Sequence, residues 1–101
     1  MEQNTLNEKV EIRRIFYENG KVQAETCFRN GKVDGVSRTY YESGILLCES
    51  NFKDNMMHGP RREYYKSGQL KREDIWKFNK IVGSVMFDEQ GNCIAVKSYV
   101  A

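Results

Sequence analysis

The chain has 101 residues, of which 30% are charged, and its formal net charge is +2. This length suits one small domain with a thin core, because a chain this short buries only about two-thirds of its unfolded surface. The net charge is too small to imply nucleic-acid binding by itself, and no apolar run approaches the roughly 18 residues of a membrane span. The polar residues 1–10 do not resemble a signal peptide, so the sequence predicts a cytoplasmic protein.

Glycines recur along the chain at a nearly constant spacing. Gly20, Gly44, Gly68 and Gly91 are separated by 24, 24 and 23 residues. Aromatic residues keep the same phase, four residues before and eight residues after each of these glycines. The two aromatic columns are Phe16, Tyr40, Tyr64 and Phe87, and Phe28, Phe52, Trp76 and Tyr99. Columns that stay in phase predict an internal repeat.

The repeat organises the chain as a single domain over residues 1–101. We predict a lead-in at 1–10, repeats at 11–35, 36–59 and 60–83, and a partial capping repeat at 84–101. Each unit reads as strand, tight turn, strand and looser turn, and no segment has a strong helical period. The predicted fold is all-β, an antiparallel meander of about eight strands in a single twisted or curled sheet.

The tight turn of the first repeat is Glu18-Asn19-Gly20. Only the glycine is constant among the four tight turns. This favours a loop of about three residues, ending in a left-handed glycine, over a two-residue turn, and it would pair Phe16 with Val22 on one face. The looser turns carry residues that tolerate a left-handed backbone. They are Gly31, Asn55 and Asn79.

Strand alternation separates the side chains of the predicted sheet into two faces. The first face is predicted to be buried, either by curling of the sheet or against a second copy. It would hold both aromatic columns together with Val22, Leu46, Leu70 and Cys93. The second face would hold Tyr17, Tyr41 and Tyr65 opposite Glu25, Glu49 and Glu73. In this register Glu25 lies near Arg13, and Glu73 near Arg61, as ordinary surface ion pairs.

The sequence shows no constellation that carries catalysis or holds a metal or cofactor. His58 is the only histidine, and it stands in a column with Asp34 and Val82 that accepts unrelated residues. Equivalent glutamates of neighbouring repeats lie about 9.6 Å apart, too far for a shared metal or a carboxylate dyad. The three cysteines form no CxxC pair, which predicts reduced thiols. We therefore predict that the protein is not an enzyme.

Two columns are candidates for binding a partner. The first is Tyr17, Tyr41 and Tyr65, and the second is Arg14, Arg38 and Arg62. The tyrosines stand on the less apolar face, where cross-strand packing is the alternative explanation. The arginines either form a structural cation–π row or anchor an acidic partner, since arginine and tyrosine are favoured at binding hot spots.

Three blocks resemble the bacterial variant of the MORN repeat, which alternates a YYxNG hairpin with an NGKxDG turn. The blocks run from Phe16 to Val22, from Asn30 to Gly35 and from Tyr40 to Gly44. Chains of such repeats are grouped as YwqK-type antitoxins. The resemblance covers residues 12 to about 83, while Asp88 and Val96 depart from its columns, as a terminal cap would. It implies a repeat sheet used for protein contacts, in a bacterial antitoxin or immunity protein.

The leading hypothesis is a non-catalytic protein-interaction module of antitoxin or immunity type, which binds a toxin or another protein through its repeat sheet. Attachment to a membrane surface is one alternative, although a charge of +2 gives little attraction to anionic lipid. A self-associating structural protein, such as a homodimer through a sheet face or edge, is another. Neither a nucleic-acid partner nor a cofactor is predicted.

Overall fold

The computed structural model describes residues 8–99, and every regular element among them is a β-strand. The strands are β1 (Val10–Phe16), β2 (Val22–Arg29), β3 (Lys32–Tyr40), β4 (Leu46–Lys53), β5 (Met56–Met57), β6 (Gly59–Tyr64), β7 (Leu70–Lys77), β8 (Lys80–Phe87) and β9 (Cys93–Ser98). They form one antiparallel sheet in chain order, which confirms the predicted all-β meander. Most of the predicted lead-in, and residues 100–101 of the predicted cap, lie outside the described range.

The nine strands occupy eight positions in the sheet, because β5 and β6 both pair with β4. Only His58 separates the two-residue strand β5 from β6. The strands at the two ends, β1 and β9, each pair with one neighbour, so the sheet is open and does not curl on itself. Within residues 8–99 no second layer covers either face.

Each tight turn ends in a glycine with a left-handed backbone. In the first repeat the Gly20 N–H donates to the Tyr17 carbonyl at 3.0 Å, and the Tyr17 N–H donates to the Lys21 carbonyl at 2.8 Å. Gly20 has a φ of 88°, and the same two bonds recur in the other tight turns. The loop therefore has three residues, and Phe16 pairs with Val22 as predicted.

The turns between repeats are tighter than expected. Asn30 and Gly31 form a two-residue turn with φ values of 51° and 82°. This is the type I′ geometry, whose twist matches that of the flanking strands. Asp54-Asn55 and Phe78-Asn79 have positive φ values as well. The predicted left-handed column is thus present, but its turns are shorter than the glycine turns.

A β-bulge next to each tight turn shifts the register by one residue. Beyond the Phe16–Val22 pair, β2 contains one extra residue relative to β1. Arg14 therefore pairs with Glu25, and the predicted proximity of Arg13 to Glu25 in that register is wrong. The cause is local, because a bulge places two residues of one strand opposite one residue of the other.

The same shift changes the composition of both faces. In the third repeat Arg62, and not Arg61, pairs with Glu73. Phe28 pairs with Glu11 and lies on the side of the sheet away from Phe16, so the predicted first face is wrong for the Phe28 column. The glutamate column, which was predicted on the second face, lies on the same side as Phe16.

We call the side of the sheet that carries Phe16, Arg14 and Glu25 the ladder face, and the other side the opposite face. The deepest burial in the described part of the chain lies on the opposite face. The residues concerned are Cys48 at 8% exposure, Ser50 and Ser84 at 9%, and Asp74 at 1%. Cys48 is the only hydrophobic residue among them, so the ladder face is not the buried side that the sequence predicted.

Candidate binding face

A continuous row of alternating charges crosses the ladder face at right angles to the strands. Within each of the first three hairpins an arginine Nε donates to the paired glutamate. These bonds are Arg14 to Glu25 at 2.6 Å, Arg38 to Glu49 at 2.8 Å and Arg62 to Glu73 at 2.6 Å. Between hairpins Arg38 Nη1 lies 3.4 Å from Glu25, and Arg62 Nη1 lies 3.8 Å from Glu49. The three predicted arginines thus join three glutamates in one six-residue ladder.

The two kinds of charge in this ladder are not equally accessible. The arginine side chains are 37–46% exposed, whereas the glutamate side chains are 18–31% exposed. The hydrogen bond to Glu49 raises the pKa of Arg38, and the bond to Glu73 raises the pKa of Arg62 in the same way. The arginine side chains of the ladder therefore present more of their surface to solvent than the glutamates do.

The ladder arginines bond to carboxylates and not to aromatic rings, whereas one of the two predicted roles was a row of cation–π contacts. The cation–π contacts of the described residues join Arg13 to Phe28, at 4.2 Å from the ring centre, and Lys71 to Tyr65 at 5.6 Å. Neither contact involves an arginine of the ladder. The structure thus gives the ladder arginines a structural role through ion pairing, and leaves their role in binding a partner as a prediction.

Two apolar rows flank the ladder. One row alternates aromatic and aliphatic or thiol side chains: Phe16, Val22, Tyr40, Leu46, Tyr64, Leu70, Phe87 and Cys93. The other row, on the far side of the ladder, includes Ile12, Val36 and Ile75, and the polar residue Asn51 stands opposite Val36. Phe16 is 57% exposed, Ile12 48% and Ile75 40%. The ladder face is therefore an amphipathic surface with a charged centre and apolar flanks.

The predicted tyrosines line the edge of the sheet that holds the tight turns, and their hydroxyls bind the next repeat. Tyr41 donates to the Tyr64 carbonyl at 2.7 Å, and Tyr65 donates to the Phe87 carbonyl at 2.8 Å. Tyr17 donates to the Tyr40 carbonyl in the same way. The hydroxyls thus hold successive hairpins together.

The rings of the same tyrosines line grooves between neighbouring turns. One groove has a volume of about 530 Å³ and is lined by Tyr17, Tyr41, Ile45 and Lys66, among others. A second groove of about 430 Å³ lies beside Phe16 and Tyr17. Ring surface therefore remains available for contacts while the hydroxyls are occupied.

His58 has a structural contact that its column did not reveal. Its Nδ1 accepts the Phe78 N–H at 3.3 Å, and the two rings lie 4.5 Å apart. In the preceding repeat Asp34 accepts the Asp54 N–H at 3.2 Å. Two of the three members of this column, Asp34 and His58, thus accept an N–H from the turn of the next repeat. Among residues 8–99 no group of His, Cys, Asp or Glu is placed to hold a metal ion.

Sequence reasoning missed a charged cluster on the opposite face of the third repeat. Asp74 is 1% exposed, and Arg72 Nε donates to it at 2.7 Å. Arg61 lies 3.8 Å from Asp74 and 3.3 Å from Glu63. The hydrogen bond to Asp74 raises the pKa of Arg72. A signal was available, because the column of Asp74 holds a hydroxyl residue in the two preceding repeats, at Thr26 and Ser50.

The repeated hairpins, with their glycine turns and aromatic columns, define a repeat-based binding module. The MORN repeat variant family matches residues 12–30, 33–54 and 57–77, which together make up more than half of the chain. The chain belongs to this family. Searches of curated proteins and of solved structures returned no match. No helix in the described part of the chain is long and apolar enough to cross a membrane.

Proposed function

We propose that this protein is a non-catalytic protein-interaction module that docks a folded protein on its ladder face. An antitoxin or immunity role, in which the bound partner is a toxin, is the form of this function that the resemblance to YwqK-type chains implies. The observation that carries the proposal is the open amphipathic ladder face, where exposed apolar residues such as Phe16 and Ile12 flank exposed arginines. Arginine and aromatic side chains of this kind dominate protein interfaces.

The size of the ladder face fits such an interface. Eight strand positions at about 4.8 Å, with strands of roughly seven residues at about 3.3 Å each, give an area of about 800 Å². This is close to the area of about 800 Å² that each partner contributes to an interface of standard size. A surface this broad suits a folded protein better than a small ligand, whose sites are concave.

The chemistry of the face also restricts the partner. The partly exposed side chains of Arg14, Arg38 and Arg62 would use their remaining N–H groups to bond carboxylates of the partner, since guanidinium binds carboxylate strongly. The flanking apolar rows would bury apolar side chains. We therefore expect an acidic partner surface with apolar residues on both sides of its carboxylates.

A reversed ladder tests this proposal without removing the ion pairs that support the sheet. In this variant Arg14, Arg38 and Arg62 are changed to Glu, while Glu25, Glu49 and Glu73 are changed to Arg. The alternation of charge is kept, so the circular dichroism spectrum and the melting temperature should remain close to those of the wild type. The partner, identified by affinity capture from the native cells and then purified, should lose its binding in titration calorimetry.

Two further measurements complete the test. If the partner is a toxin, co-expression of the wild type should relieve growth arrest and the reversed ladder should not. An unchanged affinity of the reversed ladder would contradict the assignment of the ladder face. Pelleting of the wild type with anionic vesicles, in the absence of any captured protein, would favour membrane attachment instead.

A further inference from the structure

When the charges of the ladder are read from the other end, every position carries the opposite charge. Across β1, β2, β3, β4, β6 and β7 the order is Arg, Glu, Arg, Glu, Arg, Glu. Reading six alternating charges backwards exchanges every arginine with a glutamate. A two-fold axis parallel to the strands, between β3 and β4, places the ladder of a second copy against the first in this reversed order. We infer that the ladder faces of two copies of this chain pack against each other about such an axis and form a homodimer.

The inferred axis places opposite charges against each other at every position of the ladder. Arg14 faces Glu73 of the second copy, Glu25 faces Arg62, and Arg38 faces Glu49. An axis along the ladder would instead place each charge against its own kind, which costs energy at an interface. The charge order therefore selects one of the two ways in which the faces can meet.

The apolar rows are matched by the same axis. In the first row Phe16 faces Leu70 of the second copy, and Tyr40 faces Leu46, so that an aromatic ring meets an aliphatic side chain. In the second row Ile12, which is 48% exposed, faces Ile75, which is 40% exposed. At the centre of this row Val36 faces the polar Asn51, so the apolar match of the second row lies at its ends. In the first row the strands at odd positions of the sheet carry aromatic residues and those at even positions carry aliphatic ones, and an axis between two adjacent strands exchanges odd with even positions.

The area is sufficient for a stable dimer. Six strand positions at about 4.8 Å and three rows of side chains spaced by about 6.6 Å give an overlap of about 600 Å² on each copy. The total of about 1,200 Å² exceeds the roughly 1,000 Å² expected of a biological interface. Packed sheets cross at about 30°, so the pairs closest to the axis, such as Arg38 with Glu49, are the best aligned. Strands β8 and β9 extend beyond the overlap.

This dimer goes beyond the proposed function and does not depend on it. If the ladder face also binds a partner, the second copy and the partner exclude each other. The protein would then bind its partner as a monomer, and its apparent affinity would fall as its own concentration rises.

Mixing of the wild type with the reversed ladder tests the inference directly. Reversal of all six charges preserves self-complementarity, so each protein should form dimers alone in analytical ultracentrifugation. A mixed dimer would place like charges together. Native mass spectrometry of an equimolar mixture, with one protein isotopically labelled, should therefore show mixed dimers far below the statistical half. A monomer at all concentrations, or statistical mixing, would overturn the inference.

This experiment separates the failure of the dimer from the failure of the proposed function. The reversed ladder keeps the dimer and loses the partner if both proposals hold. A captured partner whose binding is lost on reversal, together with a protein that never dimerises, would overturn the dimer alone.

Single-site variants provide a second test that does not depend on the folding of the reversed ladder. Ile12→Lys and Ile75→Lys place a charge against an apolar residue of the second copy, and each should weaken the dimer by about tenfold or more. The controls are Val96→Lys, 74% exposed on the ladder face but outside the overlap, and Ile15→Lys, 57% exposed on the opposite face. Equal weakening by the controls, or no weakening by the test variants, would overturn the inference.

Discussion

The two faces of this sheet differ in how their side chains follow the repeat. On the ladder face the same arginine–glutamate pair occurs in each of the first three repeats, so the charges form one continuous row. On the opposite face the small residues of the early repeats give way in the third to a cluster around the buried Asp74. The comparison teaches that repetition produces an extended surface, whereas departure from the repeat produces a local feature.

The largest expected effect is on the opposite face. Asp74→Ala removes the carboxylate that Arg72 bonds at 2.7 Å in the most buried position of the described chain. We expect the free energy of unfolding to fall by about 2–3 kcal/mol, because Arg72 loses a charged acceptor that is almost fully buried. Urea denaturation followed by circular dichroism measures this loss.

A double variant sharpens that result. Arg72→Ala with Asp74→Ser restores small residues of the kind found at Cys48 and Ser50 in the preceding repeat. Most of the lost stability should return, because no unpaired charge is left behind. A double variant as unstable as Asp74→Ala would show that the cluster does not explain the loss.

The second-largest effect is expected at the tyrosines along the edge of the sheet that holds the tight turns. Tyr41→Phe removes only the hydroxyl that donates to the Tyr64 carbonyl, and it should lower the free energy of unfolding by about 1 kcal/mol. Thermal melting of Tyr41→Phe beside Tyr41→Ala separates the hydroxyl from the ring. If the two variants have the same melting temperature, the hydroxyl makes the main contribution of this residue to stability. A lower melting temperature for Tyr41→Ala would assign the remaining contribution to the ring.

A smaller effect is expected on the ladder face. Arg38 contacts two glutamates and Arg14 contacts one, but both side chains are more than a third exposed. Arg38→Ala should therefore cost less than about 1 kcal/mol of unfolding free energy, and Arg14→Ala still less. Urea denaturation of both variants gives the values. A loss at Arg38 as large as that at Asp74 would remove the contrast between the two faces.

The smallest effect lies in the fourth repeat, where the row of arginines and glutamates does not continue. The Asp88 carboxylate accepts the N–H groups of Asn92 and Gln90, and these bonds hold the pKa of Asp88 below its ordinary value of 3.8. A lowered folded-state pKa means that the stabilisation is present above pH 3.8 and is lost as the pH falls through the folded value.

Hydrogen exchange measures this local effect. The amide protection factors of Gln90 and Asn92 should fall in acid below pH 3.8, while those of the Gly44 turn should not. Asp88→Asn keeps an acceptor but cannot ionise, so its protection should no longer depend on pH in this range. Equal acid sensitivity in both turns would assign the change to the whole sheet instead.

The features that recur with the repeat could be predicted because their causes are local. A glycine at the end of the tight turn is needed wherever the backbone is left-handed, and Gly20 shows this in the structure. Alternation of Phe16 with its neighbours likewise follows from the geometry of a strand. These local preferences are repeated four times in the sequence, and their agreement identified the hairpins, the meander and the repeat family.

The register between paired strands, and therefore which side chains share a face, depended on contacts that no local preference specifies. One extra residue in each bulge moved Glu25 next to Arg14 and carried Phe28 to the other side of the sheet, because side chains alternate with a period of two residues. The burial of Asp74 followed from its neighbours on adjacent strands. Alternation along a single strand is encoded by the chain, whereas the pairing between strands, and with it the charged ladder, exists only once the hairpins are assembled.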